Sequence, residues 1–469
     1  MARHRFDRPG QATKSRVLLL TLVLATMVPA AHALDLLQGY RLALTQDATY
    51  QASRAETAAA RESTPQAIAQ MLPNVSGSMT RTQNNTDSEV PGFPPGTLSH
   101  GHSEYFSSSY VISLHQPIYR KYNFAQYQQA KSQVTSAEAS LEKNLQDLLV
   151  RLAGSYFEAL MAQDQIVLIQ AQKEAYSLQL KATKRALETG LGTRTDIDDA
   201  QARYDMVLAQ ELEASQNLDY TRRQLSVIVN QPVNELSALV PERMQLAPPI
   251  PASAEEWITR GEDVNPELRA MRANIESAKQ ELEKVKAGHR PTVDLIAQRS
   301  RSQSANDTTI NQLYLTSMVG LQVNVPLFAG GYVDSQERQA LASIDRYQNL
   351  YEARRREVDQ QIRKEFQNVA EGVLKVRALE QAERSAYQAV FSNQKGFQAG
   401  TRTLVDILNA QQQRVNASRD LAQQRYLYLM ARVRLQGLVN SLDENEITLI
   451  NSWLSSASVA TPSLALREK

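Results

Sequence analysis

The feature that most constrains this chain is a duplication centred on two glycine segments. The pattern Gly-x5-Asp-Ile-x-x-Ala-Gln occurs from Gly190 to Gln201 and again from Gly400 to Gln411, an offset of 210 residues. Each copy follows a stretch of about 67 residues that contains no proline. Because glycine readily takes the left-handed conformation that ends helices, each segment predicts the point where one long helix stops and another begins. The chain is therefore expected to contain two long helical hairpins.

A threonine and an aspartate follow each glycine at the predicted start of the returning helix. They are Thr195 and Asp196 in the first copy, and Thr403 and Asp406 in the second. Threonine oxygen caps exposed amides, and negative charge in the first turn offsets the helix dipole. We therefore expect Thr195 and Thr403 to cap the returning helices.

Four prolines stand where helical periodicity gives way to alternation, or the reverse. They are Pro73, Pro117, Pro291 and Pro326. Proline cannot continue a helix, and it pushes the preceding residue towards extended geometry. We interpret all four as helix–strand switches.

The segments between these prolines predict two β-hairpins, at about 74–118 and 292–328. From Leu315 to Val325 apolar and polar residues alternate, which indicates a strand with one apolar face. Residues 106–114 form the clearest strand of the first hairpin, whereas Val75–Thr82 is weaker. The polar segments Gln83–Ser103 and Ser300–Gln312 are predicted to be loops.

Four strands are too few to close a barrel. The unpaired backbone groups of an open strand edge are too costly in lipid. Four strands of membrane-spanning length therefore require several chains to complete one barrel. Eight strands would leave little lumen, whereas twelve would leave a channel. Aromatic residues near the strand ends fit an interfacial girdle, with helix packing as the alternative for those beyond Tyr122. These residues are Tyr119, Tyr122, Phe124, Tyr127, Phe328 and Tyr332.

The first 33 residues have the order of a secretory signal peptide. Basic residues precede the apolar run Val17–Val28, and Ala31-His-Ala33 follows it. Twelve apolar residues are too few for a spanning helix. Removing the segment changes the formal charge from +1 to −3, which does not suggest a nucleic acid partner. The chain has no cysteine, which excludes disulfides, thiolate chemistry and a lipid-modified N-terminal cysteine.

The repeat divides the rest of the chain. The first repeat covers residues 34–230 with its hairpin tip at 190–196, and the second covers 266–440 with its tip at 400–406. A proline-rich linker with a short helix is predicted at 231–265, and a tail of unassigned role at 441–469. The expected fold is mainly α with a small β part.

These features together resemble the TolC family of outer membrane channels, from about Leu34 to Asn440. The most specific segments are the two glycine-centred tips. The resemblance implies a trimer in which a twelve-stranded barrel in the outer membrane continues as a helical tunnel through the periplasm. It also implies that the hairpin tips, at Gly190, Gly192, Gly400 and Thr401, dock with a periplasmic adaptor and an inner-membrane transporter. It implies no cofactor.

In that family a network at the tips shuts the tunnel. Carried over by motif, Arg402 would bond Thr195 and Asp196, and Asp406 would line an acidic ring. This chain departs from the family pattern at two positions. Asn409 stands where the family has a second aspartate, and Phe397 where it has a tyrosine.

Several of these residues also have simpler interpretations. Asp196 and Asp406 could be helix caps or first-turn residues only. His100, His102 and Glu104 alternate and could hold a metal, although a solvated loop is the better interpretation. No grouping resembles a nucleophile with its base, a phosphate loop or a zinc site, so an enzyme is not expected.

The sequence therefore predicts a passive outer membrane duct that receives substrates from an inner-membrane transporter. It does not separate protein secretion from multidrug efflux. The alternative is a secreted coiled-coil scaffold without a pore, which would not need the alternation from Leu315 to Val325.

Overall fold

The computed structural model describes residues 33–91, 94–96, 98–190 and 192–455. The predicted signal peptide at 1–33 lies outside the described residues except for Ala33. The predicted tail is described as far as residue 455.

The chain is mainly helical with four strands, which confirms the predicted fold class. The elements of the first half are α1 (Leu36–Gln46), α2 (Ala48–Arg61), α3 (Ser63–Ala69), β1 (Asn74–Pro91), β2 (Leu98–Tyr119), α4 (Lys121–Glu188) and α5 (Arg194–Val229). Those of the second half are α6 (Ala254–Val264), α7 (Pro266–Lys286), β3 (Thr292–Gln303), β4 (Leu313–Asn324), α8 (Tyr332–Gln398), α9 (Leu404–Leu438) and α10 (Glu444–Asn451).

Two long helices, α4 and α8, organise the molecule. They have 68 and 67 residues, and at 1.5 Å per residue each is about 100 Å long. The returning helices α5 and α9 have 36 and 35 residues, so each pairs with only about half of its long partner. Other helices cover the remaining length: α2 and α3 pack on α4, while α7 packs on both α4 and α8.

The main core lies midway along the two long helices. Tyr156 of α4 and Tyr428 of α9 are fully buried there. The Tyr156 hydroxyl donates towards the backbone carbonyls of Leu34 and Ser237, at 3.0 and 3.1 Å. The Tyr428 hydroxyl donates to the Ala247 carbonyl at 2.8 Å. Buried hydroxyls need hydrogen-bond partners. These bonds therefore hold the linker against the two pairs of long helices, α4 with α5 and α8 with α9, which we call the rods.

The linker and the tail both join this core. Leu34 pairs with Leu236 of the linker, and Leu239 pairs with Leu454 of the tail, through isolated β-bridges. Trp453 has only 2% of its surface exposed, and the Arg432 guanidinium lies 5.5 Å from its ring centroid. The described part of the tail therefore packs against the middle of the rods.

The four strands form one antiparallel sheet in the order β1-β2-β3-β4. Asn74 pairs with His115 at one end of the first hairpin, and Pro91 pairs with Leu98 at the other. The prediction of a loop over Gln83–Ser103 is therefore wrong. Serine, threonine and asparagine give that segment no apolar face, but backbone pairing continues through it. The second connection, at 304–312, falls within the loop predicted there.

The four prolines differ in their positions. Pro73 and Pro291 directly precede β1 and β3, and Pro326 lies between β4 and α8. Pro117 does not mark a switch, because β2 continues to Tyr119. It lies at a shift in the register between β2 and β3, where a residue without an N–H does least harm to the ladder.

Candidate functional site

The sheet has one apolar face. Directly opposite residues of antiparallel strands share a face, and the register aligns Val75, Leu114, Ala297 and Val319 across all four strands. Neighbouring rows on this face carry Met79, Ile112, Leu295, Leu321 and Val323. Val319 is 76% exposed and Met79 is 68% exposed. Large carbon side chains exposed in rows form a surface suited to lipid.

The opposite face of the sheet is lined by hydroxyl and amide groups. Its β1 and β2 residues include Ser76, Ser78, Thr80, Thr82, Ser107, Ser109 and Ser113. Hydroxyls pair across the strands, as between Ser76 and Ser113 at 2.8 Å. Such a face suits water, so the two faces separate an apolar outside from a polar inside.

An ion pair joins the sheet to the helices. Asp294 of β3, only 6% exposed, accepts two hydrogen bonds from Arg120, which stands between β2 and α4. Nε donates to Oδ1 at 2.8 Å and Nη2 to Oδ2 at 2.7 Å. His115 Nε2 lies 3.6 Å from Oδ1. This bidentate pair fixes the angle at which the chain leaves the sheet.

The hairpin tips are built by glycine. Gly190 and Gly400 have φ values of 77° and 75°. The Gly400 N–H donates to the Phe397 carbonyl at 3.0 Å, and the Thr401 N–H to the Gly396 carbonyl at 2.9 Å. This pair of bonds satisfies the last carbonyls of α8. Gly400 and Thr401 are exposed at the end of the hairpin.

Both returning helices begin with the same capping arrangement. The caps are Thr193 and Thr403, so the prediction of Thr195 as a cap is wrong: Thr195 is already inside α5. The Thr403 N–H and hydroxyl both donate to Asp406 Oδ2 at 2.9 Å, and the Asp406 N–H donates to the Thr403 hydroxyl. Asp196 repeats this geometry with Thr193. Both aspartates thus have a capping role in each chain.

Asp406 is held in its charged form. The backbone N–H of Thr403, then the Thr403 hydroxyl, and then the positive charge of Arg402 lower the pKa of the Asp406 carboxyl below its usual value. Hydrogen bonds to a carboxylate favour ionisation. Several copies of this chain would therefore present anionic groups at the tips.

Among the described residues, no hydrogen bond joins Arg402 to Thr195 or Asp196 within one chain. The contact between the two hairpins is made elsewhere. Arg203 of α5 donates from Nη2 to Asn409 Oδ1 of α9 at 2.9 Å. Gln172 Nε2 of α4 donates to Gln412 Oε1 of α9 at 2.9 Å.

A small apolar core lies beside these hairpin contacts. Its buried residues are Ile169, Tyr176, Val207, Ala214, Leu404 and Leu408. The sequence pattern contains no signal for Arg203, since only the fold brings α5 and α9 together. The only signal at Asn409 in the sequence is that the family has an aspartate at this position.

The histidines of the first hairpin lie on strand β2, not in a loop. His100 pairs with Glu89 and His102 with Asp87, at 3.2 and 2.5 Å. Across the part of the chain that the structure describes, no group of three ligating side chains could hold a metal ion.

None of the described helices combines the length and the apolar character needed to cross a membrane.

The fold and these surfaces together define a class. A sheet that is apolar outside and polar inside, with helical rods leaving one end, belongs to a membrane channel that continues as a helical tunnel.

Comparisons with known proteins identify the family. The outer membrane efflux protein family matches residues 39–231 and 257–441. Alkaline protease secretion protein AprF of Pseudomonas aeruginosa is 35% identical over 426 residues, which is 90% of this chain and 87% of AprF. Proteases secretion protein PrtF of Dickeya chrysanthemi is 32% identical over 448 residues, which is 95% of this chain and 96% of PrtF.

Solved structures show the same fold. The outer membrane protein VceC of Vibrio cholerae superposes with a TM-score of 0.75 at 17% identity, covering 87% of this chain and 97% of VceC. The chain therefore belongs to the outer membrane efflux protein family. It is an outer membrane channel protein for export, and nothing in the comparisons favours the scaffold alternative.

Proposed function

We propose that this chain is the outer membrane duct of a protein secretion system. The continuity of a two-faced sheet with rods of about 100 Å supports the duct, and the likeness to AprF and PrtF supports protein as its substrate. A channel through the lipid would then open directly into the helical tunnel. The energy for export would come from a partner transporter.

Three copies are the expected assembly. β1 and β4 are the outer strands of the sheet, so each chain offers two edges. Unpaired edges are too costly in hydrocarbon to remain open. Two chains would give eight strands and almost no lumen, whereas three would give twelve strands and an aqueous channel.

Protein is the proposed substrate. AprF and PrtF, which are 35% and 32% identical to this chain, are both named for protease secretion. Proteins named TolC from Vibrio cholerae and Escherichia coli are each 29% identical. The greater likeness to AprF and PrtF supports protein secretion over efflux of small molecules. An inner-membrane transporter and an adaptor docking at Gly190, Gly192, Gly400 and Thr401 complete the proposed system.

A complementation assay tests this proposal. The chain would be expressed in a host that lacks its own tunnel protein, together with the transporter and adaptor of a protease secretion system. Active protease in the medium is the expected result. Restored drug resistance with the protease retained in the cell would overturn the substrate assignment, and the empty vector controls for leakage.

We also propose that Arg402, Thr195, Asp196 and Asp406 form the closed tip of the tunnel. Since the Arg402 guanidinium has no hydrogen-bond acceptor among the described residues of its own chain, the bond to Thr195 and Asp196 would join neighbouring subunits. A planar guanidinium can donate to a carboxylate and a hydroxyl together. The anionic Asp406 side chains would then face the axis and attract cations.

Single-channel recording tests the tip. Arg402→Ala is expected to raise the open-to-closed ratio roughly fivefold for each subunit contact removed, because an exposed charged contact contributes about 1 kcal/mol. Asp406→Asn is expected to weaken block by divalent cations. Arg194→Ala is the control, since Arg194 lies at the same tip but pairs with Asp198 of its own helix. If both variants gave the same currents as the control, these residues would not form the closed tip.

A further inference from the structure

Three arginines lie on the apolar face of the sheet, at the level where β3 ends away from the helices. Arg299 stands opposite Ile112 and Ser317, and Arg301 opposite Tyr110 and Leu315. Arg81 lies one row further, opposite Ser108. Because opposite residues share a face, the arginines belong to the outward surface. All three are exposed.

These arginines have no acidic partner among the residues that the structure describes. The Arg81 guanidinium lies 5.2 Å from the ring centroid of Phe106, which is a contact with an aromatic face and not with an anion. Arg299 and Arg301 have no hydrogen-bonding or ionic partner there. Along the first hairpin, the first carboxylate beyond Arg81 on this face is that of Glu104, opposite Asn85 and two rows away.

The height of the arginines places them at a membrane boundary. Val293 begins the apolar rows at the helical end of β3, and Arg301 is eight residues further on. At 3.4 Å per residue this separation is about 27 Å along the strand. A strand tilt of about 40° reduces it to roughly 20 Å along the membrane normal, close to the apolar band of about 25 Å in such barrels.

The distance of the arginines from the end of the β3–β4 hairpin also places them at a membrane boundary. β3 ends at Gln303, so Arg301 and Arg299 are two and four residues from the outward end. An arginine costs about 2 to 4 kcal/mol at the bilayer midplane but almost nothing near the interface. Long arginine side chains can also extend towards the headgroups while their carbon stems remain on apolar surface.

We propose that Arg81, Arg299 and Arg301 form a binding site for the phosphate groups of outer-leaflet lipid headgroups. Arg299 and Arg301 are adjacent on one face, about 7 Å apart along the strand. Arg81 lies across β2 on the next row of the same face, opposite Ser108. A guanidinium group can bind a phosphate in a bidentate manner, with two N–H groups donating to two phosphate oxygens. Tyr110 provides the amphipathic ring that is typical of membrane interfaces, and Phe106 lies against the Arg81 guanidinium.

A lipid-binding measurement tests the site on the full-length protein purified in a neutral detergent. Lipid A, which carries phosphates, would be added, and its affinity read from native mass spectrometry and from the melting temperature of the assembly. The wild type is expected to bind. Arg299→Gln/Arg301→Gln is expected to lose roughly tenfold in affinity for each arginine removed. Arg299→Lys/Arg301→Lys should retain part of the affinity.

The matched control is Arg377→Gln/Arg384→Gln. These arginines are exposed on α8, and their substitution removes the same charge far from the sheet. Equal lipid affinity in the wild type and the Arg299→Gln/Arg301→Gln variant would overturn the proposal. So would equal binding of dephosphorylated lipid A. Stabilisation by inorganic phosphate alone, at the same phosphate concentration, would assign the patch to a free anion and also refute the lipid site.

If the glutamine variant fails to assemble, the lysine variant carries the comparison, since it keeps the charge but loses the paired geometry. An affinity for lipid A equal to that of the wild type would then show that paired guanidinium contacts are not used. Channel conductance should be unchanged in every variant, so the result is independent of the proposed substrate.

Discussion

The bidentate pair between Arg120 and Asp294 gives the sharpest test of how the sheet is held to the helices. Asp294 is 6% exposed and uses both oxygens, whereas the Arg120 side chain is 36% exposed. Exposed ion pairs contribute about 0 to 1 kcal/mol, and breaking a fully buried pair costs about 3 to 5 kcal/mol. With one partner buried and the other partly exposed, we expect a coupling energy of about 2 kcal/mol.

A double-mutant cycle measures this coupling. Arg120→Ala, Asp294→Ala and the double variant would be compared by heat- or denaturant-driven unfolding of the assembly in detergent. Each single variant should be clearly destabilised, and the double variant only slightly more, because the first substitution already removes the pair.

The control cycle uses Arg41 and Glu444, whose side chains are 67% and 52% exposed. Its coupling should stay below about 1 kcal/mol. A coupling at Arg120 and Asp294 that does not exceed the control value would refute the reasoning.

Three further predictions concern the tail, the tip and one helix contact. Trp453→Ala should destabilise the protein by about 3 to 5 kcal/mol in denaturant unfolding, since it empties a buried site; a loss below about 1 kcal/mol would show that the tail is not part of the core. The low pKa of Asp406 means that its capping contribution is complete above about pH 4 and is lost only as pH falls through the lower folded pKa. Divalent-cation block should therefore be constant from about pH 5 to about pH 8, and a midpoint within that range would contradict this assignment. Gly261→Ala should lower stability by about 1 to 3 kcal/mol, because the added methyl group would overlap the buried Ile362. Gly154→Ala, where the nearest atom is 3.5 Å away, is the control and should be neutral or stabilising in the same unfolding assay.

The long helices and their ends were predictable because their causes are local. Left-handed glycine ends a helix at Gly190 and Gly400 whatever surrounds it. Each proline-free stretch of about 67 residues forms one unbroken helix, α4 with 68 residues and α8 with 67. The alternation from Leu315 to Val325 likewise reports one apolar and one polar face, which is a property of a single strand.

The extent of the first hairpin could not be read in the same way. Residues 83–89 and 100–103 have no apolar side chains on either face, so periodicity contains no strand signal there. The pairing of Asp87 with His102 and of Asn85 with Glu104 exists because the hairpin continues beyond its apolar rows. The cap at Thr193 was missed for a related reason: Thr193 and Thr195 are chemically alike, and only the backbone conformation decides which one precedes the helix.

By itself, the sequence determined the duplication, the lengths of the rods, the alternation of the strands and the family to which the chain belongs. Glycine, proline and side-chain periodicity act over a few residues, so their effects are legible without a fold. Tertiary structure alone decided that Arg203 meets Asn409, that Arg120 pairs with Asp294 and that the tail covers the middle of the rods. These contacts join residues that are far apart in the chain, and no local rule brings such residues together.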